Sequence, residues 1–304
     1  MISRRAFLEH SSLALAAMTC LPAKAAPGTG PLGRPVGLQL YTVRQEAARD
    51  LNGTLTQIAT IGYREVETAG YYDKPAKELR SLFAGLGLSA PSVHHSMQDL
   101  QKGDIETKVA YAAELGAKYF VCAFPALPGG ATLPAGGEGK TIANSMTLDD
   151  WKWNAAQLNR IGALTKKAGL LTGYHNHNME FRSIDGKLAY DQLLAWTDPA
   201  LVTMEMDVGW VVTAGADPVH YLQKYPQRFS LLHVKDVRRD AVTVADALRA
   251  QTTEVGHGKI DWQRLFAAAK ATKVQHYFVE QENFERPVLD AVRMSYEYLS
   301  TLKV

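Results

Sequence analysis

Val202-Thr203-Met204-Glu205-Met206-Asp207-Val208-Gly209-Trp210 carries an apolar-rich run into an aspartate and then a glycine. Leu231-Leu232-His233-Val234-Lys235-Asp236 and Tyr277-Phe278-Val279-Glu280 repeat the plan with a histidine and a glutamate. Each reads as a strand that is buried along its length and presents an ionisable group at its C-terminal end. Upstream, five more β-rich runs precede them: Val36 to Leu40, Arg64 to Glu67, Ser89 to His94, Tyr119 to Ala123 and Leu170 to His175. With the later runs taken as Val202 to Asp207, Ser230 to Val234 and Gln275 to Glu280, that makes eight. Amphipathic stretches fall between them, among them Ala76 to Leu86, Ile105 to Leu115, Leu148 to Ala168 and Pro218 to Lys224, and Pro287 to Leu302 closes the chain. Thr147 with Asp150 is a plausible cap for the fourth helix. Glycine hands helix to strand at Ile61-Gly62-Tyr63, Leu115-Gly116-Ala117 and Ala168-Gly169-Leu170. Strands alternating with helices specify a parallel sheet, and eight units at spacings of roughly 30 residues specify an α/β (β/α)8 TIM barrel. No Gly-rich dinucleotide fingerprint follows the first strand, which places a doubly wound sheet second.

The barrel is expected as a single domain over 26–304. Residues 1–25 read instead as a twin-arginine signal: Ser3-Arg4-Arg5-Ala6-Phe7-Leu8, an apolar run from Ser11 to Leu21, then Ala23-Lys24-Ala25. That order predicts export, to the periplasm or beyond. The apolar run is shorter than the roughly 20 residues of a spanning helix, so no stable membrane span is expected. Ala17-Met18-Thr19 makes a poor lipobox before Cys20, so a lipid anchor there is not expected. Cleavage would leave Cys122 as the one cysteine and exclude an intramolecular disulfide. With 33 Lys+Arg against 31 Asp+Glu and no basic block after the signal, nucleic acid is excluded as a partner. Phe124 to Met146, rich in glycine and proline, is too long for a simple turn and reads either as a lid after the fourth strand or as a surface insertion.

A charge at the end of a buried strand needs a partner, and a divalent cation held by two carboxylates and an imidazole would supply one. Asp207, His233 and Glu280 are the candidates. These stretches, together with Tyr174-His175-Asn176-His177-Asn178-Met179-Glu180-Phe181 and Val255-Gly256-His257-Gly258-Lys259-Ile260-Asp261-Trp262, resemble the sugar phosphate isomerase/epimerase family of xylose isomerase-like TIM barrels. The resemblance covers nearly all of the chain beyond the signal. It implies one divalent metal ion, Mn, Mg, Co or Zn, held by a Glu, Asp, His, Glu set from strands five to eight. Asp207, His233 and Glu280 match the last three. Strand five departs from the pattern: His175 stands where the family has glutamate and is the favoured fourth ligand. Glu180 is the alternative, as ligand or as base. Period-two alternation puts His175 and His177 on one face, where His177 either contacts substrate or packs. Trp210 replaces the histidine of many relatives and suits either stacking on a sugar or packing at the rim. Arg239 matches a substrate contact of some relatives, and otherwise reads as a solvated loop residue.

Earlier strands offer Gln39, Tyr41, Glu67, His94 and His95. One of the two adjacent histidines should face the pocket, and His95 is taken as that one; Glu67 joins it as a substrate contact. Lys235 and Glu282 lie near the ligands and are read as holding hydroxyls or tuning the acid-base group. The resemblance implies chemistry on a small carbohydrate: isomerisation or epimerisation of an unphosphorylated sugar by proton removal beside a carbonyl, with Glu280 or Glu180 as base. A lyase or hydratase of 3-keto-glycosides is the alternative on the same site. A non-catalytic sugar-binding barrel is the third reading.

Overall fold

In a computed structural model the described residues are 29–130, 146–244 and 250–304. The N-terminal segment read as an export signal, Cys20 included, and most of the 124–146 connection lie outside them. Eight parallel strands close a barrel: β1 Gly37–Gln39, β2 Glu65–Thr68, β3 Ser89–Ser96, β4 Tyr119–Phe124, β5 Leu171–His175, β6 Val202–Asp207, β7 Phe229–Val234 and β8 His276–Val279. β1 completes the circle by pairing with both β2 and β8, Gly37 lying opposite Glu65 on one side and Phe278 on the other. The helices between them are α1 Leu51–Ile61, α2 Ala76–Gly85, α3 Ile105–Leu115, α4 Leu148–Lys167, α5 Ala189–Trp196, α6 Pro218–Lys224, α7 Trp262–Ala269 and α8 Val288–Thr301. The fold is therefore the (β/α)8 barrel expected, with strand ends shifted by one or two residues. No helix among the described residues is long and apolar enough to cross a membrane.

The strands are buried on both faces, outward side chains against the helices and inward ones against each other. The outward set, with Val93, Phe120, Met204, Leu232 and Tyr277, belongs to the main core beneath the helices. Inward residues stack in layers. His276 pairs with Glu65 at 2.7 Å near the N-terminal mouth, Val121, Leu231 and Phe278 form an apolar floor above it, and the polar ends of the strands rise from that floor. Burying ionisable groups on an apolar floor is costly unless they pair, so the top layer has to be a network.

The connections are fixed at their ends. Thr147 caps α4 through a reciprocal box in which its hydroxyl accepts from Asp150 N at 3.2 Å and its own amide donates to Asp150 Oδ2 at 2.8 Å. One turn on, buried Asn154 grips Ala126, accepting from its amide at 3.1 Å and donating to its carbonyl at 2.8 Å. Arg182 donates to the carbonyl of Met146 at 2.8 Å. Both described ends of the long connection are thus tied to the barrel.

Candidate metal centre

Asp207 ends β6 and also caps the short helix Val208–Thr213, its Oδ1 accepting the Trp210 amide at 2.9 Å. That commitment leaves Oδ2, fully buried and reached by no hydrogen bond. Lys235 Nζ lies 2.9 Å from it, an ion pair by distance. Gly209 is required there, because a Cβ would lie 2.7 Å from the Lys235 carbonyl and 2.9 Å from its Cβ. Lys235 threads past this glycine and places its ammonium among three carboxylates, with Glu280 Oε2 at 3.1 Å and Glu282 Oε1 at 2.7 Å besides Asp207.

His175, Asp207, His233 and Glu280 converge on one point. One donor atom from each lies within 4.8 Å of the others, and all four residues are buried. His175 Nε2 is 3.8 Å from Asp207 Oδ2, and His233 Nδ1 is 2.7 Å from Glu280 Oε2. Two imidazoles and two carboxylates, one with an oxygen lacking a hydrogen bond, fit a divalent ion. The structure thus brings together the four residues favoured as ligands in the sequence.

Beneath this set lies a second one. Glu67 Oε2 takes His233 Nε2 at 2.6 Å, His94 Nε2 at 2.9 Å and the Gln39 amide at 2.7 Å. Glu205 Oε2 takes His94 Nε2 at 2.6 Å and His175 Nδ1 at 3.1 Å. His94, His175, Glu205 and His233 also lie within 4.8 Å of one another. The two sets share His175 and His233, each of which turns one ring nitrogen to either set. Burial opposes charge on His94, but Glu67 and Glu205 outweigh it and raise the ring to about 9. Burial and the neighbouring Glu67 push Glu205 up to about 7. Burial likewise lifts Asp207 to about 6 against the pull of Lys235. Glu280, although buried, is held below the usual carboxylate range by Lys235 and His233.

A cavity of about 470 Å³ opens over the first set, lined among others by His175, His177, Trp210, Glu280 and Glu282. His177 follows the strand, 5.0 Å from the His175 ring and 5.6 Å from Trp210, and its Nδ1 has no hydrogen bond. Trp210 is buried at the wall with the Lys235 ammonium 4.8 Å above its ring.

Four expectations need correction and a fifth, His95, holds in part. Glu180 does not reach the site: the turn Met179–Phe181 carries it behind β5, where it is fully buried, accepts from Tyr174 Oη at 2.7 Å and the His177 amide at 3.0 Å, and lines no part of the cavity. Burial raises it to about 7. It holds the turn that presents His177. Glu67 and Lys235 are no substrate contacts either: both are buried and absent from the cavity lining, Glu67 spent on the imidazoles and Lys235 on three carboxylates. Of the adjacent histidines, His94 points inward. The pleat turns His95 outward, its Nε2 2.7 Å from Tyr71 Oη and its ring stacked on Phe120 at 4.6 Å, although its edge still borders the cavity. Arg239 is exposed and outside the cavity lining.

Asp236 joins the stretch that follows β7 to the Gly256-His257-Gly258 motif before α7. Its Oδ2 accepts from Gly256 N at 2.9 Å, Gly258 N at 3.1 Å and Trp262 Nε1 at 2.8 Å, and its Oδ1 from Val237 N at 2.8 Å and Ile260 N at 3.3 Å. A Cβ on Gly258 would lie 2.0 Å from Oδ1.

Residues 55–301 match the model of the xylose isomerase-like TIM barrel. The inosose dehydratase of Geobacillus thermodenitrificans is 28% identical over 251 residues, covering 74% of this chain and 79% of that one. That of Clostridium perfringens is 27% identical over 243 residues, covering 74% and 80%. A crystal structure of a sugar phosphate isomerase/epimerase from Parabacteroides distasonis superposes with a TM-score of 0.72 at 28% identity, covering 93% of this chain and 97% of that one. From the closed barrel, the charged ends of its later strands and this match over most of its length, the chain belongs to the family of xylose isomerase-like TIM barrels.

Proposed function

We propose that this protein is a divalent-metal-dependent lyase that removes water from an unphosphorylated polyhydroxy ketone, a keto-sugar or keto-cyclitol. The observation that carries the reading is the convergence of His175, Asp207, His233 and Glu280 beneath a cavity that Glu280 and His177 also line. Similarity to inosose dehydratases supports elimination over the isomerisation or epimerisation that the sequence alone favoured. No lysine or arginine lines the cavity among the described residues, whereas Asp99, Glu280 and Glu282 do, which suits a substrate without phosphate.

Bound by those four residues, the ion would act as a Lewis acid on the ketone and acidify the neighbouring C–H. Glu280 pairs Oε2 with Lys235, and its lowered pKa keeps the carboxylate ionised, with Oε1 as base for that proton. Burial and Lys235 bring His177 down to about 3, so its ring is neutral and donates a hydrogen bond to the hydroxyl that departs from the β-carbon, which takes its proton from Glu280. Loss of the α-proton and the β-hydroxide, joined as water, leaves an enol that ketonises to a 1,2-dicarbonyl. Lys235 bridges Asp207 and Glu280 and offsets their charge, its ammonium 2.9 Å from one and 3.1 Å from the other. Trp210 walls off the ring of His177.

The protein is to be incubated in heavy water with keto-inositols, free ketoses and 3-keto-glycosides, and the products followed by NMR and mass spectrometry. Loss of one water with growth of dicarbonyl absorbance is expected. Deuterium exchange with retained mass would favour epimerisation or isomerisation, and no exchange on any substrate would favour the binding protein. We also propose that residues 1–25 direct twin-arginine export. Fused to a folded reporter they should carry it across the inner membrane, and replacing Arg4 and Arg5 by lysine should keep it in the cytoplasm.

A further inference from the structure

His175 and His233 each stand between two carboxylates, and the side on which each ring carries its proton decides which nitrogen is left to bind an ion. A neutral imidazole has one N–H and one lone pair. The upper carboxylates, Asp207 and Glu280, face His175 Nε2 and His233 Nδ1. The lower ones, Glu67 and Glu205, face His233 Nε2 at 2.6 Å and His175 Nδ1 at 3.1 Å. The lower pair is fully buried on the apolar floor, is absent from the cavity lining and, among the described residues, is reached by no lysine or arginine. His94 Nε2 lies between the two lower carboxylates, at 2.9 Å from Glu67 and 2.6 Å from Glu205. Its ring is parallel to that of His233, 5.3 Å away. Gln39, which donates to Glu67, is in turn oriented by the Tyr41 amide at 3.0 Å. Three imidazoles therefore each turn a ring nitrogen to the two lower carboxylates, and since the upper nitrogens of His175 and His233 are the ones that reach the four-residue set, ligation there would leave the ring protons to Glu205 and Glu67.

We propose that Glu67 and Glu205 are positioning residues that fix the tautomers of the two metal-binding imidazoles. Glu67 holds the proton of His233 on Nε2, and Glu205 holds that of His175 on Nδ1. His233 Nδ1 and His175 Nε2 are thereby left as lone-pair donors to the ion, with both rings oriented before it arrives. This rests on the metal reading of the upper set. It also accounts for the departure on strand five: histidine there replaces a carboxylate ligand, and Glu205, two residues before Asp207, supplies the carboxylate that a histidine ligand needs behind it.

The test uses full-length protein with ¹⁵N-labelled histidine, with Zn²⁺ as the probe ion. In long-range ¹H–¹⁵N spectra of the unaltered protein His233 is expected as the Nε2–H tautomer and His175 as the Nδ1–H tautomer, zinc shifting His233 Nδ1 and His175 Nε2. Glu67→Gln and Glu205→Gln are each expected to weaken zinc binding by about 10–100-fold in calorimetry, and each to disturb the tautomer of its own partner ring. Zinc shifts on the opposite nitrogens would place the ion in the lower set and overturn the inference, and this measurement needs no variant to fold. If zinc binds through the expected nitrogens but both variants keep full affinity, the positioning role fails while the metal reading stands. If zinc does not bind the unaltered protein, the metal reading itself fails.

Discussion

Replacing Asp236 by asparagine keeps the size of a fully buried side chain and removes one of its two acceptor oxygens. Five donors now converge on the carboxylate, three on Oδ2 and two on Oδ1. The best asparagine rotamer keeps its oxygen on Gly256 N, Gly258 N and Trp262 Nε1, which turns its NH₂ toward the amides of Val237 and Ile260. Two bonds to a charged acceptor are lost, at about 1.5–3 kcal/mol each, and two buried donors face a third. Removing a buried charge returns part of that cost. A net loss of about 3 kcal/mol follows, on the order of 10 °C in Tm for a domain of this size. Urea unfolding followed by tryptophan fluorescence, with an unchanged m-value, reads it directly. Amide hydrogen exchange should quicken at Gly256 and Gly258 ahead of the barrel strands. A variant within about 1 kcal/mol of the unaltered protein would refute the assignment of Asp236 as the tie between the segment after β7 and the loop before α7.

Glu180→Gln separates a base from a support: lodged behind β5, it should retain bound metal and lose less than about tenfold in kcat, whereas loss of a true general base costs about 10²–10⁴. His95 gives a pH dependence. Burial and Lys108 lower its pKa to about 3, below its unfolded value near 6.5, so the unfolded chain takes up the proton first. Its contribution is present above pH 6.5 and falls by roughly 2 kcal/mol between there and pH 5; subtracting the stability-pH curve of His95→Gln from that of the unaltered protein should show this slope, and parallel curves would contradict it. Dialysis against a chelator should abolish turnover and lower Tm, with Zn²⁺, Mn²⁺ or Co²⁺ restoring both. An Asp207→Ala, His233→Ala double variant should bind no ion by elemental analysis; metal retained there would place the ion elsewhere.

The sequence displayed the barrel because each strand buries both faces while each helix buries one, so a continuous apolar run and an amphipathic one are distinguishable without tertiary information. Strand ends were legible for the same reason: Asp207, His233 and Glu280 interrupt apolar runs. Glu205 was passed over although alternation from Asp207 puts it on the same inward face, and the same count inward along β3 selects His94 over His95 only once the pairing of His94 with Val121 is known. Glu180 was misplaced because two residues beyond β5 the backbone leaves the period-two pattern for a single 3-10 turn, and strand alternation no longer says where a side chain points. The grip of Asp236 on Trp262 spans 26 residues and carries no periodicity at all.

The inward polar layer draws Gln39 from β1, Glu67 from β2, His94 from β3, His175 from β5, Glu205 and Asp207 from β6, His233 from β7, and Glu280 follows β8. No stretch of chain shorter than nearly the whole barrel contains the site, and its last member comes after the final strand has been made. During synthesis a nascent chain thus offers scattered histidines and carboxylates but no chelating geometry. Capture of the ion in its native coordination would report that the circle between β1 and β8 has closed, which makes a metal-sensitive spectroscopic signal a clock for the last step of folding.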